Sequence, residues 1–166
     1  MNEKITAVRS LPGSSNLGCF GCSSENSHGL KMTFYTDGVA VFSDIKVPSH
    51  MSGWNQMVHG GILSVILDEI MSWAVLNLLK KMGMTKTMTI EFLKPVSIHD
   101  QLRAEGRPIE TLGRHEAMVE GFVFNQKGEL CAKSKGIFAL LSAKLATRMG
   151  IVDQDTLAGI ENIINA

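Results

Sequence analysis

The chain has 166 residues, of which 45% are hydrophobic and 19% are charged, and it contains four prolines. These proportions are typical of one compact folded domain and exclude a disordered or low-complexity protein. Sixteen basic residues balance sixteen acidic ones, so the net charge gives no reason to expect nucleic acid or an anionic membrane as a partner. The expected partner is a small molecule.

Residues 1–29 are rich in Ser, Asn and Gly and show little periodicity, which predicts an irregular segment that covers the domain. The first residues, 1–4, lack the basic start and apolar core of a signal peptide. Three cysteines are too few, and an odd number, for a disulfide framework, so we expect a protein of the reducing cytoplasm.

Cys19 and Cys22 have the spacing of a zinc or redox motif. A zinc site needs about four ligands, and only His28 is a further candidate nearby. We therefore interpret residues 19–22 as a structural loop. Cys131 alternates within an apolar strand pattern and is interpreted as a small core residue.

The domain itself is predicted to occupy residues 30–145, followed by a tail at 146–166. Residues 30–35 and 39–47 favour β-strands, and the Asp37-Gly38 pair between them is a strong signal for a hairpin turn.

Residues 62–79 carry apolar side chains on all sides, which predicts a long helix buried on most faces. Asp68 and Glu69 lie at its middle, where a charge in a bilayer would cost a few kcal/mol, so we do not expect a membrane span. Lys80 and Lys81 suit the C-terminal end of the helix dipole, and Gly83 is expected to be its left-handed cap.

Four further strands are predicted at residues 85–92, 101–112, 115–125 and 129–141, and a short amphipathic helix at 153–165. This order predicts an α+β domain in which one antiparallel sheet wraps a single helix. Strand edges and apolar surface that one helix cannot cover predict at least a dimer.

The residues His59, Gly60 and Gly61 precede and open the long helix. Glycines let another molecule approach the backbone, and the free N–H groups of a helix N-terminus attract an anion or a developing oxyanion. Simple helix capping without a ligand is the alternative interpretation.

Asp68 is the candidate functional carboxylate, because a carboxylate inside an apolar helix is costly unless it is paired. It shares a helix face with Ser64 and Ser72, which gives a polar stripe. Glu69 shares a face with Trp73 instead, and we predict a structural ion pair or a solvent-facing position for it.

Asp68 follows Gly60 by eight residues, or about 12 Å along the helix axis. A hydrogen-bond donor and a base that act on one carbonyl must each lie within about 3 Å of the atoms they serve. One helix cannot easily supply both groups to one substrate. If they cooperate, Asp68 comes from a second subunit, and the site lies at a dimer interface.

Several segments together carry a resemblance to a known family: Cys19-Phe20-Gly21-Cys22 with Asn26 and Gly29-Leu30, Val58-His59-Gly60-Gly61, Leu67-Asp68-Glu69, Trp73-Ala74, and Thr85 through Phe92-Leu93-Lys94-Pro95. They span most of residues 19–140. In these segments the sequence resembles the hotdog-fold acyl-CoA thioesterases of the phenylacetate-degradation and 4-hydroxybenzoyl-CoA thioesterase group.

The resemblance implies a sheet wrapped around a central helix, in a homodimer or a dimer of dimers (homotetramer). It implies hydrolysis of an acyl-CoA thioester that carries a medium-sized acyl or aryl group. By position, the Gly60 N–H donates to the thioester carbonyl, Asp68 acts as nucleophile or general base, and the Thr85 hydroxyl orients water or substrate.

The remaining substrate contacts are expected from His59, Gly61, Asn55 and Ser72, and no metal or redox cofactor is expected. Relatives often place an amide side chain before the histidine, and Asn55 is our choice for that position. By the same resemblance, the turn that contains Arg114 is expected to contact the nucleotide part of CoA, with Lys133 and Lys135 nearby on the last strand.

Two other functions stay open at this point. A hydratase or dehydratase of acyl thioesters would use His59 together with the acid. A non-catalytic acyl-CoA binding module would need neither group, since a fold does not by itself fix a function.

Overall fold

The computed structural model describes residues 8–13 and 18–166. The predictions made for residues 1–7 and 14–17 lie outside the described residues. In chain order the elements are β1 (Arg9–Ser10), β2 (Tyr35–Thr36), β3 (Val41–Lys46), a 3-10 turn (Ser49–Met51), α1 (Gly60–Leu78), β4 (Met82–Phe92), β5 (Gln101–Leu112), β6 (Glu116–Phe124), β7 (Leu130–Leu141), α2 (Ala143–Arg148) and α3 (Gln154–Asn165).

Within the described residues the strands form one seven-stranded antiparallel sheet in the order β1-β2-β3-β5-β6-β7-β4. Helix α1 lies against one face of this sheet and contacts β3 to β7. Its residues Ile66, Leu67 and Ile70 are completely buried in the main core. The predicted α+β architecture, with an antiparallel sheet around one central helix, is confirmed.

The hairpin turn forms as predicted. Asp37 Oδ1 accepts hydrogen bonds from the N–H groups of Val39 and Ala40, both at 2.8 Å, and Gly38 takes a left-handed conformation. The strand before it is shorter than expected. Leu30 and Met32 donate their N–H groups to the carbonyls of Phe20 and Gly21, so the N-terminal loop occupies the hydrogen-bonding positions that a neighbouring strand would need.

The end of α1 differs from the prediction. Lys80, with φ 56°, is the residue that takes the left-handed conformation, and Gly83 lies inside β4. A Cβ atom built on Gly83 would lie 2.9 Å from Val75 Cγ1 and 3.2 Å from Phe138 Cδ1. Glycine is therefore needed there because the strand crosses the helix at close range.

Both ends of the described chain pack onto the central helix. Leu11, Cys22 and Leu30 are buried in the same core as α1, so the N-terminal segment contributes to the core. At the other end, Asn77 in α1 donates to the carbonyl of Ile163 in α3 at 3.3 Å. The predicted C-terminal helix is confirmed and begins after Asp153, whose carboxylate caps it.

Helix α1 is the one described helix that is long and apolar enough to suit a membrane span by length and composition. A core helix passes the same test. Its many contacts with the sheet and its completely buried residues favour the core interpretation.

Candidate active site

The first turn of α1 contains one backbone donor that has no acceptor within the described chain. The Gly61 N–H donates to His59 Nδ1 at 2.9 Å, and the Ile62 and Leu63 N–H groups donate to the His59 carbonyl. The Gly60 N–H has no such partner among the described residues. Within the chain the capping imidazole thus engages the Gly61 N–H, and a substrate contact of Gly61 stays a prediction.

A cavity of about 560 Å³ lies beside this free donor. Gly60 lines it, together with apolar side chains that include Leu63, Phe92 and Val96. Phe92 and Trp54 are exposed, so the cavity opens to the surface. Its volume falls within the range of about 300–1,000 Å³ that is usual for small-molecule sites.

Asp68 and Thr85 are in contact within one chain. The Thr85 hydroxyl donates to Asp68 Oδ1 at 2.6 Å, and Asp68 is half-buried. This is the only hydrogen bond to the Asp68 side chain within residues 8–13 and 18–166. The structure therefore joins two of the three predicted catalytic residues.

A β-bulge in β4 directs Thr85 towards the helix. The register between β4 and β7 shifts between Thr85 and Thr87, so that Lys86 is an extra residue. Met88 and Ile90 pack against the core on the helix side. If side chains alternated strictly along β4, Lys86 would also face the helix. Instead, Lys86 forms an ion pair with Glu116. Bulges commonly redirect a side chain next to a functional site, and here the bulge turns Thr85 to Asp68.

The two halves of the predicted site lie at opposite ends of β4. Thr85, near its start, contacts Asp68, whereas a Cβ atom built on Gly60 would lie 3.7 Å from Phe92 Cζ at its end. Gly60 and Asp68 are separated by about 12 Å along α1. A single chain therefore does not bring the Gly60 donor and the Asp68 carboxylate to one carbonyl.

The polar residues Asn55, Ser64 and Ser72 do not line the cavity. Asn55, with φ 42°, is exposed in the loop that carries the cavity-lining Trp54 and Met57, but it is not itself a lining residue. The Ser64 hydroxyl donates to the Gly60 carbonyl at 2.9 Å. Ser72 lines a different pocket, so the structure does not place it beside Gly60.

Arg114 is exposed in the turn between β5 and β6. Within one chain Arg114 is far from Lys133 and Lys135. Lys133 pairs with Phe122 near the other end of β6, and Lys135 pairs with Glu120 in the middle of that strand. Lys133 also forms a 3.2 Å ion pair with Glu91. The contact of Arg114 with CoA stays a prediction.

Glu69 has partners that the helix pattern did not reveal. Its Oε1 accepts the Trp73 indole N–H at 3.0 Å, and its Oε2 lies 3.4 Å from Cys19 Sγ. Burial raises the pKa of the Glu69 carboxyl to about 7. A hydrogen bond from Cys22 lowers the pKa of the Cys19 thiol to about 5. The spacing of Cys19 and Cys22 is the sequence signal for this cluster. It does not predict Glu69 as the third member, because Glu69 lies 50 residues from Cys19 along the chain.

Residues 55–132, which include the whole of α1 and β4, match the family model of the thioesterase superfamily. The resemblance to thioesterases recognised in the sequence is confirmed by this match. The family model describes thioesterases, which agrees with the expected class of thioester hydrolase. No curated protein matches the sequence.

Solved structures of the thioesterase superfamily share the fold. One thioesterase superfamily protein has a TM-score of 0.68 and 22% identity to this chain. The match covers 74% of this chain and 60% of the other protein, so this chain spans less than two thirds of that protein's length. The PaaI protein from the phenylacetic acid degradation operon of E. coli has a TM-score of 0.61 and 22% identity, over 68% of this chain and 81% of its own. These similarities confirm the hotdog fold.

A hypothetical thioesterase from Streptococcus pneumoniae, solved with coenzyme A, has a TM-score of 0.59 and 24% identity. The match covers 63% of this chain and 82% of the pneumococcal one. Variants of the pneumococcal protein with alanine in place of one aspartate or one threonine have also been solved.

Proposed function

We propose that this chain hydrolyses acyl-CoA thioesters that carry a medium-sized acyl or aryl group. The observation that carries the proposal is the Gly60 N–H, which has no acceptor in the described chain and opens the helix beside an apolar cavity. A helix N-terminus presents this donor with the positive end of the dipole. Such a donor stabilises the oxyanion that forms when a thioester carbonyl is attacked.

The pneumococcal thioesterase supports the ligand class, because it was solved with coenzyme A. The alanine variants of that protein replace the same two residue types that meet here as Asp68 and Thr85. Within this chain the apolar lining of the cavity suits an acyl or aryl group.

Asp68 is proposed to supply the carboxylate, as nucleophile or as general base. Thr85 donates its hydroxyl proton to Asp68 Oδ1, which leaves Oδ2 free and leaves the Thr85 oxygen able to accept a hydrogen bond. One water molecule can then donate one proton towards Oδ2 and the other towards Thr85. This arrangement is suited to a water molecule that attacks the thioester carbonyl while Asp68 takes its proton.

The complete site is proposed to lie between two subunits. Strand β4 is at the end of the sheet order, and no described strand pairs with its outer edge. Met84 and Phe92 on this strand expose about half of their surface, which is unusual for a long edge strand in a monomer.

Antiparallel pairing of two β4 strands about a two-fold axis would complete the site. With the axis near Met88 and Thr89, the start of one strand lies opposite the end of the other. Thr85 and Asp68 of the partner subunit then come next to Phe92 and Gly60. The same symmetry produces two equivalent sites per dimer, and a dimer of dimers would keep this unit intact.

The test is a panel of acyl-CoA substrates of graded acyl size, assayed with the purified chain for released thiol. Release of free CoA by the native chain, and its loss in Asp68→Asn, would support the proposal. A changed acyl group that stays attached to CoA would instead show a hydratase or dehydratase. Tight binding of acyl-CoA without any reaction would show a binding module, and either outcome would overturn the proposal.

The proposed reaction uses no metal or redox cofactor at Gly60 or Asp68. The proposed location is a reducing cytoplasm, where the three cysteines form no disulfide.

A further inference from the structure

Three potential metal ligands converge outside the site described above. Cys19 and Cys22 come from the N-terminal loop, and Glu69 comes from the middle of α1. Their ligand atoms all lie within 4.8 Å of one another. His28, the third ligand suggested by sequence proximity, is exposed and is not part of the group.

The spacing of these atoms is close to that around one tetrahedral zinc ion. Zinc binds thiolate sulfur at about 2.3 Å and carboxylate oxygen at about 2.0–2.2 Å, so a sulfur and an oxygen ligand lie about 3.6 Å apart. Cys19 Sγ and Glu69 Oε2 are already 3.4 Å apart. Small side-chain rotations would place all three atoms on one ion.

The carboxylate is oriented by groups around it. Trp73 donates its indole N–H to Glu69 Oε1, and Cys19 Sγ lies 3.6 Å from this oxygen and 3.4 Å from Oε2. The Trp73 ring is itself fixed by stacking on Phe34 at 4.0 Å between ring centroids. Hydrogen bonds of this kind orient the ligands of metal sites in proteins.

The loop backbone is also adapted to the carboxylate. A Cβ atom on Gly21 would lie 2.6 Å from Glu69 Cδ, so only glycine lets the loop approach this closely. The Gly21 N–H donates to Cys19 Sγ at 3.3 Å, which stabilises negative charge on that sulfur. A thiolate is the form of cysteine that binds metal.

A pocket of about 180 Å³ opens onto the three ligands. It is lined by Cys19, Cys22 and Glu69, with Ser72 and Trp73 among its other walls. Three protein ligands with an open side are sufficient for a zinc ion that takes a water molecule as its fourth ligand.

We propose that Cys19, Cys22 and Glu69 bind one Zn²⁺ ion, with the fourth position filled by water from the adjacent pocket. Two thiolates and one carboxylate suit zinc better than calcium or magnesium, which prefer oxygen ligands alone. The ion would fasten the N-terminal loop to α1 at the residue next to Asp68. This site replaces the interpretation of residues 19–22 as a loop without a ligand.

The test is a titration of the reduced, chelator-treated full chain with Co²⁺, a spectroscopic probe for zinc sites. We expect one equivalent to bind, with a thiolate-to-metal charge-transfer band and intense tetrahedral visible bands that Zn²⁺ abolishes. Cys19→Ser and Cys22→Ser should each reduce the charge-transfer band and weaken binding at least tenfold. Glu69→Gln, which keeps the size of the side chain, should weaken binding and keep the charge-transfer band.

Cys131→Ser is the matched control, because Cys131 is also buried but its thiol donates to the Glu129 carbonyl and is not part of the three-ligand group. It should bind Co²⁺ like the native chain. Asp68→Asn should also take up Co²⁺ normally, so that failure of the proposed hydrolysis and failure of this site are distinguishable.

Three results would overturn the proposal: no tetrahedral Co²⁺ spectrum in the native chain, the same spectrum in Cys19→Ser, or no effect of Glu69→Gln on affinity. A disulfide between Cys19 and Cys22 that forms on mild oxidation, in a reduced chain that takes up no metal, would show a redox pair instead. The thermal midpoint of the native chain with and without Zn²⁺ gives a second readout that needs no variant, since a bound ion raises it.

Discussion

Asp68 and Glu69 are adjacent on α1 but have different partners. Asp68 accepts a hydrogen bond from Thr85 on β4, whereas Glu69 points to Trp73 and the N-terminal loop. A helix turns by about 100° per residue, so neighbouring carboxylates reach different surfaces. The proposed chemistry depends on Asp68, and the proposed zinc site depends on Glu69.

We predict that Asp68→Asn folds and binds substrate but hydrolyses acyl-CoA at least about a hundredfold more slowly, because the amide cannot act as a base or nucleophile. The measurements are kcat from released thiol and folding from circular dichroism. Glu69→Gln, the matched amide variant, should keep much more activity. If Glu69→Gln is the inactive variant and Asp68→Asn the active one, the assignment of the helix faces is wrong.

The Thr85 hydroxyl is predicted to act through its bond to Asp68. A hydrogen bond to a charged group contributes about 1.5–3 kcal/mol, so Thr85→Val should lower kcat by about 10- to 100-fold. Thr85→Ser keeps the hydroxyl and should recover most of the rate. Equal activity of the valine and serine variants would remove Thr85 from the mechanism.

At the scale of elements, the contact between α1 and β4 positions both halves of the site. Gly83 lets the start of β4 cross the helix near Val75, and the bulge at Lys86 then turns Thr85 inwards. Phe92 ends the strand beside Gly60. Alternation alone would have placed Lys86 against the helix, so the bulge determines which side chain meets Asp68.

Alanine substitutions at two glycines test the close approach of these elements. Gly83→Ala inserts a methyl group 2.9 Å from Val75 Cγ1 and should lower the free energy of unfolding by about 1–3 kcal/mol. Gly159→Ala in α3 has no neighbouring atom within 4 Å and should raise it by about 0.4–1 kcal/mol. Urea unfolding measures both changes. A Gly83→Ala variant as stable as the native chain would contradict the crowding.

At the scale of the whole molecule, the separation of Gly60 from Asp68 requires two chains to complete one proposed site. The free edge of β4 is the surface that would join them. Symmetric pairing of this edge would bury exposed Met84 and Phe92 and would also satisfy the unpaired backbone groups of the strand.

Mixing two inactive variants tests this arrangement. Gly60→Pro removes the donor N–H, and proline is well tolerated at the first position of a helix. His59 before it already has an extended backbone, which suits a residue that precedes proline. Refolding Gly60→Pro together with Asp68→Asn should restore about a quarter of the native sites, because half of the dimers are mixed and each has one intact site.

Each variant refolded alone is the control and should stay inactive. Mass spectrometry of the intact complexes checks that mixed dimers form. Mixed dimers without recovered thiol release would place the donor and the carboxylate in one chain.

The sequence alone was sufficient for the features that depend on local pattern. Apolar residues on all sides of 62–79 predicted the buried helix, and the Asp37-Gly38 pair predicted the hairpin turn. The boundaries of β5 at residues 101–112 were also correct. Hydrophobic periodicity and turn chemistry are properties of neighbouring residues, so they can be read without the fold.

Only the tertiary structure decided the contacts between distant residues. The bulge in β4 aims Thr85 at Asp68, the imidazole of His59 uses the Gly61 N–H, and Cys19 meets Glu69 across 50 residues. None of these follows from a local pattern, because each depends on how the helix, the strand and the N-terminal loop pack together. The sequence by itself determined the class of fold and the candidate residues, whereas packing determined which of those residues meet and which donor stays free.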